Sequence, residues 1–193
     1  ARELDKRWGG KRWGKDAPRT IASESYWRQP LAWNREAQKS GEPWRVFVNS
    51  MSDFFEDRHD LSEPRARLAE LVKRTPYLTW MLLTKRPEMA LRLWHCLWDT
   101  PPNLWLGVTA EDQQRADERI PVLIQVPAVV RFVSYEPALS LVDLDRATVG
   151  QQERLNWVII GGESGPKRRA MPIAWCANMV QQCREAGIAC FVK

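Results

Sequence analysis

Trp157-Val158-Ile159-Ile160-Gly161-Gly162-Glu163-Ser164-Gly165-Pro166 runs four apolar residues straight into two glycines and an acid. The run is short, rich in β-branched residues and without polar alternation, the pattern of a strand buried on both faces in a parallel sheet. Gly161-Gly162 then allows a sharp turn and a close backbone approach to a ligand. Glu163 stands at the strand's carboxyl end, where α/β sheets and barrels place their sites. Taken alone, the stretch also reads as a strand, a turn and a solvated loop acid.

The same design recurs on both sides of it. Apolar runs at 45–48, 78–83, 104–108, 129–133, 157–160 and 188–192 read as strands. Between them lie helical patterns. One starts at Ser62, read as an N-cap with Pro64 in the first turn, and carries Leu68, Leu71 and Val72 at helical spacing. Residues 87–98 place Met89, Leu93 and Leu97 on one face. Residues 112–125 are helical with an interruption at Pro121. Residues 173–186 end on Gly187 as a C′ glycine. Residues 138–155 form a looser connection. Strand and helix alternating at this interval is the signature of a parallel sheet. The fold class is therefore α/β, a partial parallel (β/α) barrel over 45–193, with a doubly wound open sheet as the other arrangement. Residues 1–44 form a separate polar, Trp-rich segment of loops and short helix, broken by Pro18, Pro30 and Pro43. Residues 1–8 resemble the middle of a helix without a start signal, so the chain is expected to continue upstream.

The totals exclude several classes. The chain has 193 residues, 44% hydrophobic and 27% charged, which suits one globular domain. No apolar run is of membrane-spanning length, so no membrane partner is expected. The cysteines (Cys96, Cys176, Cys183, Cys190) match no compact zinc or cluster spacing and read as buried free thiols, in keeping with a reducing cytoplasm. The net charge of +5 permits a nucleic-acid partner without requiring one. Lys11, Arg12, Trp13, Lys15 and Arg19, with Trp8, Trp27, Trp33 and Trp44, interleave cations and aromatics as single-strand binders do. The same tryptophans equally suit packing over the outside of a barrel.

Each strand hands over to polar residues: Asn49, Ser50 and Asp53; Thr84, Lys85 and Arg86; Thr109, Glu111 and Asp112; Ser134 and Glu136; Gly161, Gly162, Glu163 and Ser164; and finally Lys193. In a barrel all of these share one rim. Carboxylates suit ribose hydroxyls and amino groups, and Lys85 and Arg86 suit carboxylate or phosphate. The rim thus fits a zwitterionic, ribose-bearing ligand. Individually, Asp53 could cap a helix, Glu136 shape a turn, and Lys85-Arg86 form a surface pair. The sequence contains no phosphate loop, no GxGxxG fingerprint and no GxSxG elbow. His59 and His95 lie in a charged loop and on a helix, so neither a His-based triad nor a His zinc site is expected.

Val46-Phe47-Val48-Asn49-Ser50-Met51-Ser52-Asp53, Leu83-Thr84-Lys85-Arg86-Pro87, Trp105-Leu106-Gly107-Val108-Thr109, Arg131-Phe132-Val133-Ser134-Tyr135-Glu136-Pro137 and Val158-Ile159-Ile160-Gly161-Gly162-Glu163-Ser164-Gly165 occur in this order. Together they resemble a family of phage and prophage proteins of unassigned function related to radical S-adenosylmethionine enzymes. The resemblance covers residues 45–193. It implies a partial barrel of that type, a [4Fe–4S] cluster, and S-adenosylmethionine cleaved to a 5′-deoxyadenosyl radical that modifies a nucleobase or nucleotide. It also implies three cluster cysteines after the first strand, and the chain has no such motif. As given, the chain is expected to lack the first strand, the cluster loop and activity, and to hold no metal itself. By position, the resemblance puts Asn49, Ser50, Asp53, Thr109, Glu111, Ser134, Glu136, Gly161, Gly162 and Glu163 at the cofactor. Thr84, Lys85, Arg86 and Ser164 fall at the substrate. Two other functions remain open on the sequence: a non-catalytic nucleic-acid-binding module, and a cluster-free barrel acting on a phosphorylated small molecule.

Overall fold

The computed structural model describes residues 14, 17–50, 52–149 and 155–193. Six strands form one sheet: β1 (Trp44–Val48), β2 (Leu78–Thr84), β3 (Leu104–Thr109), β4 (Val130–Tyr135), β5 (Trp157–Ile160) and β6 (Ala189–Val192). Every neighbouring pair is parallel, and the order is β1-β2-β3-β4-β5-β6. There is no reversal in that order, so the doubly wound arrangement, which needs one, is not what forms. The sheet curls as a partial (β/α) barrel.

Helices α1 (Glu24–Ser40), α2 (Ser62–Arg74), α3 (Pro87–Leu97), α4 (Gln113–Gln125), α5 (Leu144–Thr148) and α6 (Ile173–Glu185), with a short 3-10 turn at His59–Leu61, complete the described elements. They share one core with alternate strand residues: Leu78, Trp80 and Leu82; Leu104, Leu106 and Val108; Val133 and Tyr135; Val158 and Ile160. The residues between these point the other way, because successive side chains of a strand alternate. There Met81, Phe132 and Ile159 make a second, smaller cluster, flanked by Leu83, Trp105 and Trp157. Thr109 and Ser134, two residues beyond Gly107 and Phe132, lie at the carboxyl ends of their strands on this concave side.

Several expectations needed correction. Residues 24–40 are not loop and short helix but one helix of 17 residues, with Pro30 inside it. Ser23 caps it by accepting the N–H of Tyr26, and Gly41 closes it at φ 76°. Pro30 and Ala37 are buried, and Trp27, Leu31 and Trp33 pack against the main core. An interior proline costs about 3 kcal/mol. Burying one large apolar side chain contributes about 1.5–3 kcal/mol, so several outweigh it. The same balance carries α4 unbroken through Pro121, over buried Ala116, Ile120, Leu123 and Ile124. Ser62 is not an N-cap: a short 3-10 turn (His59–Leu61) precedes it, and the cap residue is Leu61 without a side-chain bond. On α3 the buried face is Pro87, Ala90 and Trp94, while Met89, Leu93 and Leu97 are half-buried beside it. Of the cysteines only Cys183 is buried; Cys176 is intermediate, and Cys96 and Cys190 are exposed. Burial pushes the Cys183 thiol up to about 12.

The concave lining depends on one glycine. A Cβ at Gly107 would lie 2.4 Å from the Phe132 ring, which sits directly on the β3 backbone. Gly107 and Phe132 are register partners on β3 and β4. Gly107→Ala is expected to lower stability by about 1–3 kcal/mol through overpacking, read as a drop in the urea midpoint. In the Phe132→Leu background the same change should cost much less, because the obstructing ring is gone.

Candidate functional site

The rim residues arrive on loops of different strands, and hydrogen bonds tie the loops together. Asp53, beyond β1, is the most heavily used acceptor. It takes the Thr84 hydroxyl (2.7 Å) and the backbone N–H groups of Phe55 (2.9 Å) and Lys85 (2.9 Å). Its second oxygen also pairs with Arg86 at 3.1 Å. Thr84 is buried, and its oxygen in turn accepts the N–H of Arg86 (2.9 Å). Thr84 and Asp53 thus lock the ends of β1 and β2 to each other. Asn49 adopts φ 56° in the exposed turn after β1, where its carbonyl accepts the N–H of Ser52 at 3.0 Å. Ser50 is exposed beside it.

Glu111, beyond β3, is held from two sides. Lys85 donates to one carboxylate oxygen and Arg119 of α4 to the other at 3.0 Å. The same Arg119 nitrogen reaches the Thr109 carbonyl (2.8 Å) and hydroxyl (2.9 Å). Burial pushes the Glu111 carboxyl up, but the Lys85 hydrogen bond, a backbone hydrogen bond and the charges of Lys85 and Arg119 together outweigh it, and the net direction is down. Glu111 is therefore an ionised carboxylate between two cations.

Glu136, beyond β4, pairs with Lys193 (2.7 Å), the residue after β6. It lies against the end of β5: a Cβ on Gly161 would meet its side chain at 3.0 Å. Gly161 is in turn bonded to both flanks of Glu136, its N–H to the Tyr135 carbonyl (3.1 Å) and its carbonyl to the Ala138 N–H (2.9 Å). The Tyr135 hydroxyl donates to the Ser140 carbonyl, and burial raises it to about 12. That bond holds the loop carrying Glu136. Ser134 is buried, on the concave side of β4 two residues beyond Phe132.

Gly161 and Gly162 differ from expectation. Neither takes a positive φ; the left-handed residue of this loop is Gly165, at φ 104°. Gly161 serves the close approach of Glu136, whereas a Cβ on Gly162 would make an ordinary 3.6 Å contact with Met171. Glu163 faces its own loop, bonded to the backbone N–H of Arg169 (2.8 Å) and to its guanidinium through Nε (2.8 Å) and Nη2 (2.9 Å). That guanidinium, then the Arg169 N–H, holds the Glu163 carboxyl down at about 2. Ser164 is exposed.

The structure thus joins Asp53, Thr84, Lys85, Arg86, Thr109 and Glu111 in one network, and Glu136, Gly161 and Lys193 in a second. The two meet where the Leu139 N–H bonds the Glu111 carbonyl at 2.8 Å. Arg119 and Arg169 were not anticipated: neither lies at a strand end, and nothing in their local spacing marks them. Two cavities lie elsewhere. One of about 270 Å³ is lined by Arg45, Trp105, Val130, Asn156, Trp157 and Ala189, at the strands' amino ends, and one of about 410 Å³ lies along β1 beside Trp33 and Trp44. The converging polar groups are at the opposite end from the first cavity, the end at which (β/α) barrels place their sites. In the N-terminal segment, Arg19 is spent on Glu56 (2.7 and 3.0 Å), and Arg67 covers the Trp27 ring at 4.6 Å. Trp8, Lys11, Arg12, Trp13 and Lys15 lie outside the described residues. No described helix is long and apolar enough to cross a membrane.

This geometry defines a class: a partial (β/α) barrel with an ion-paired polar rim at the carboxyl ends of its strands. The chain belongs to the family described as "Protein of unknown function (DUF5131)", which it matches over residues 1–193. No curated protein and no solved structure matches it significantly.

Removing the Asp53 carboxylate leaves two backbone donors and a buried hydroxyl without their acceptor. Asp53→Ala is expected to cost about 2–3 kcal/mol in urea unfolding. The Glu163–Arg169 pair has a distinct pH signature. The folded Glu163 value lies below the ordinary 4.5, so its contribution is complete above pH about 4.5 and disappears as pH falls toward 2. The difference in urea midpoint between wild type and Arg169→Ala should hold steady at neutral pH and shrink over that acid range.

Proposed function

We propose that the rim binds S-adenosylmethionine, and that the chain is the barrel portion of a radical S-adenosylmethionine-type enzyme of the phage-related kind its strand-end motifs resemble. The observation that carries this reading is the convergence of Asp53, Glu111, Glu136, Lys85, Arg86 and Lys193 from separate strand ends. A zwitterionic nucleoside needs anionic partners for its ammonium and ribose hydroxyls and cationic partners for its carboxylate. The rim has both, already opposed in pairs that a ligand with both charges can exchange into. Glu136 is the best-placed carboxylate, since its partner Lys193 is a long exposed side chain. Glu111 and Ser134 flank it; Asp53 and Thr84 position the loops. S-adenosylmethionine would supply a 5′-deoxyadenosyl group for radical chemistry on a nucleobase or nucleotide only with one electron from a reductant, which in enzymes of the resembled kind is a [4Fe–4S] cluster.

The cluster is a different matter. Cys96 lies on α3, Cys176 and Cys183 on α6 and Cys190 on β6. Among the described residues no three His, Cys, Asp or Glu side chains gather around a metal-sized space. The residues present do not fit a [4Fe–4S] cluster, and no step is assigned through one. A phosphorylated small molecule at Lys85 and Arg86 is the weaker reading, because each cation already faces a carboxylate.

Calorimetric titration of the chain with S-adenosylmethionine tests the proposal. Binding is expected, with Glu136→Gln weakening it by about 10- to 100-fold, the loss of one charged hydrogen bond. Lys39→Ala, exposed at the end of α1 and away from the rim, should leave it unchanged. No heat at ligand concentrations of about 1 mM, or equal affinity of Glu136→Gln, would sink the site. The gene's product, purified without oxygen and reduced, should accumulate 5′-deoxyadenosine from S-adenosylmethionine; ligand binding without that product would remove the radical assignment and leave the binding site.

A further inference from the structure

The loop leaving β5 is closed by a clamp. Glu163 holds both the backbone N–H and the guanidinium of Arg169. Between them Gly165 turns at φ 104°, and the Arg168 N–H returns to the Gly165 carbonyl at 3.3 Å. The apex, Pro166, Lys167 and Arg168, is exposed. Asp53, Glu111, Glu136 and Glu163 each already hold a cation. Among the described residues Lys167 has no carboxylate partner, and Arg168 reaches only the Gly165 carbonyl, at 3.5 Å. Two cations are thus held out at the rim with their charge uncompensated.

An aromatic ring stands on the adjacent strand. Phe191 of β6 is the register partner of Ile159, which lies in the concave-side cluster, so Phe191 is on the same face. It is 52% exposed. Phe47, on the other edge strand and paired with Met81, repeats this at 45%. Cations on the loop that leaves β5, and an exposed ring on the concave side of the neighbouring strand β6, are the kinds of group that bind single-stranded nucleic acid: cations neutralise phosphates and rings stack bases. A duplex, with its bases already stacked, could not use the rings.

We propose that the clamped loop 163–169 and Phe191 form a binding surface for single-stranded nucleic acid, presented to the rim as the macromolecular substrate. Its role as substrate rests on the function proposed above, whereas the binding does not.

The test is fluorescence anisotropy of a labelled single-stranded oligonucleotide with the whole chain, without S-adenosylmethionine, over a series of salt concentrations. Binding should weaken with salt, and Lys167→Ala/Arg168→Ala should flatten the log–log slope by about 1.4, because two phosphates are no longer neutralised. Phe191→Leu should weaken binding by about tenfold with the slope unchanged. Glu163→Gln makes the protein more positive, so bare charge attraction predicts tighter binding; a positioning clamp predicts weaker binding. Lys39→Ala/Lys73→Ala, exposed on α1 and α2, serves as the control. The proposal is overturned if the loop variant loses no more than this control, if Glu163→Gln binds tighter, if a duplex binds as well as the single strand, or if no strand binds. S-adenosylmethionine titrations of the same variants separate the two proposals: strand binding that survives without cofactor binding removes only the function proposed above, and the converse removes only this surface.

Discussion

Sequential parallel pairing is the constraint on which everything else here depends. Each strand lies beside the next one in the chain and runs the same way, so each connection must return across the sheet, and such crossovers have one hand. The helices are therefore gathered on one side, and every strand delivers its last residues to the same edge. The rim is a product of topology before it is a product of side chains. Polar residues that are far apart in sequence become neighbours because they follow strands that are neighbours.

Side chains then make the loops interdependent. Asp53 ties β1 to β2, Lys85 ties β2 to Glu111 beyond β3, and Glu136 joins the ends of β4, β5 and β6. Charged pairs at a surface contribute little individually. Here, however, Asp53 and Glu111 are largely shielded and fully bonded, so their value lies in fixing geometry. A ligand of the proposed kind would meet groups that are already ordered, exchanging one charge partner for another instead of organising a loose set of side chains.

The central strands β2 to β5 were legible because a two-face-buried strand leaves a compact mark, a continuous apolar run stopped by polar residues, and the exposed edge strands β1 and β6 carry a run of the same kind. β5 lies within the boundaries read from Trp157 to Ile160, and the others shift by only a residue or two. The helix at Glu24–Ser40 was hidden because Pro30 and the polar composition both argue locally against it; tryptophan packing, a tertiary effect, overrides them. The rim acids were legible as a set, since strand-end position is a sequence property. Their partners were not: Arg119 reaches Glu111 from inside a helix and Arg169 reaches Glu163 from the far side of a turn. The use of Gly161 was equally hidden, since it shows only when Glu136 of the neighbouring strand is in place.

The Phe132 ring lying on Gly107 has a further consequence for what this protein can accommodate. With Met81 and Ile159 it forms a floor across the concave side at mid-height, separating the rim from the space bordered by Arg45, Trp105 and Trp157. The height of that layer is set by Gly107, whose missing side chain lets the Phe132 ring lie against the β3 backbone. The absence of one side chain on β3 therefore fixes where the apolar layer lies between the polar rim and the cavity at the amino ends of the strands.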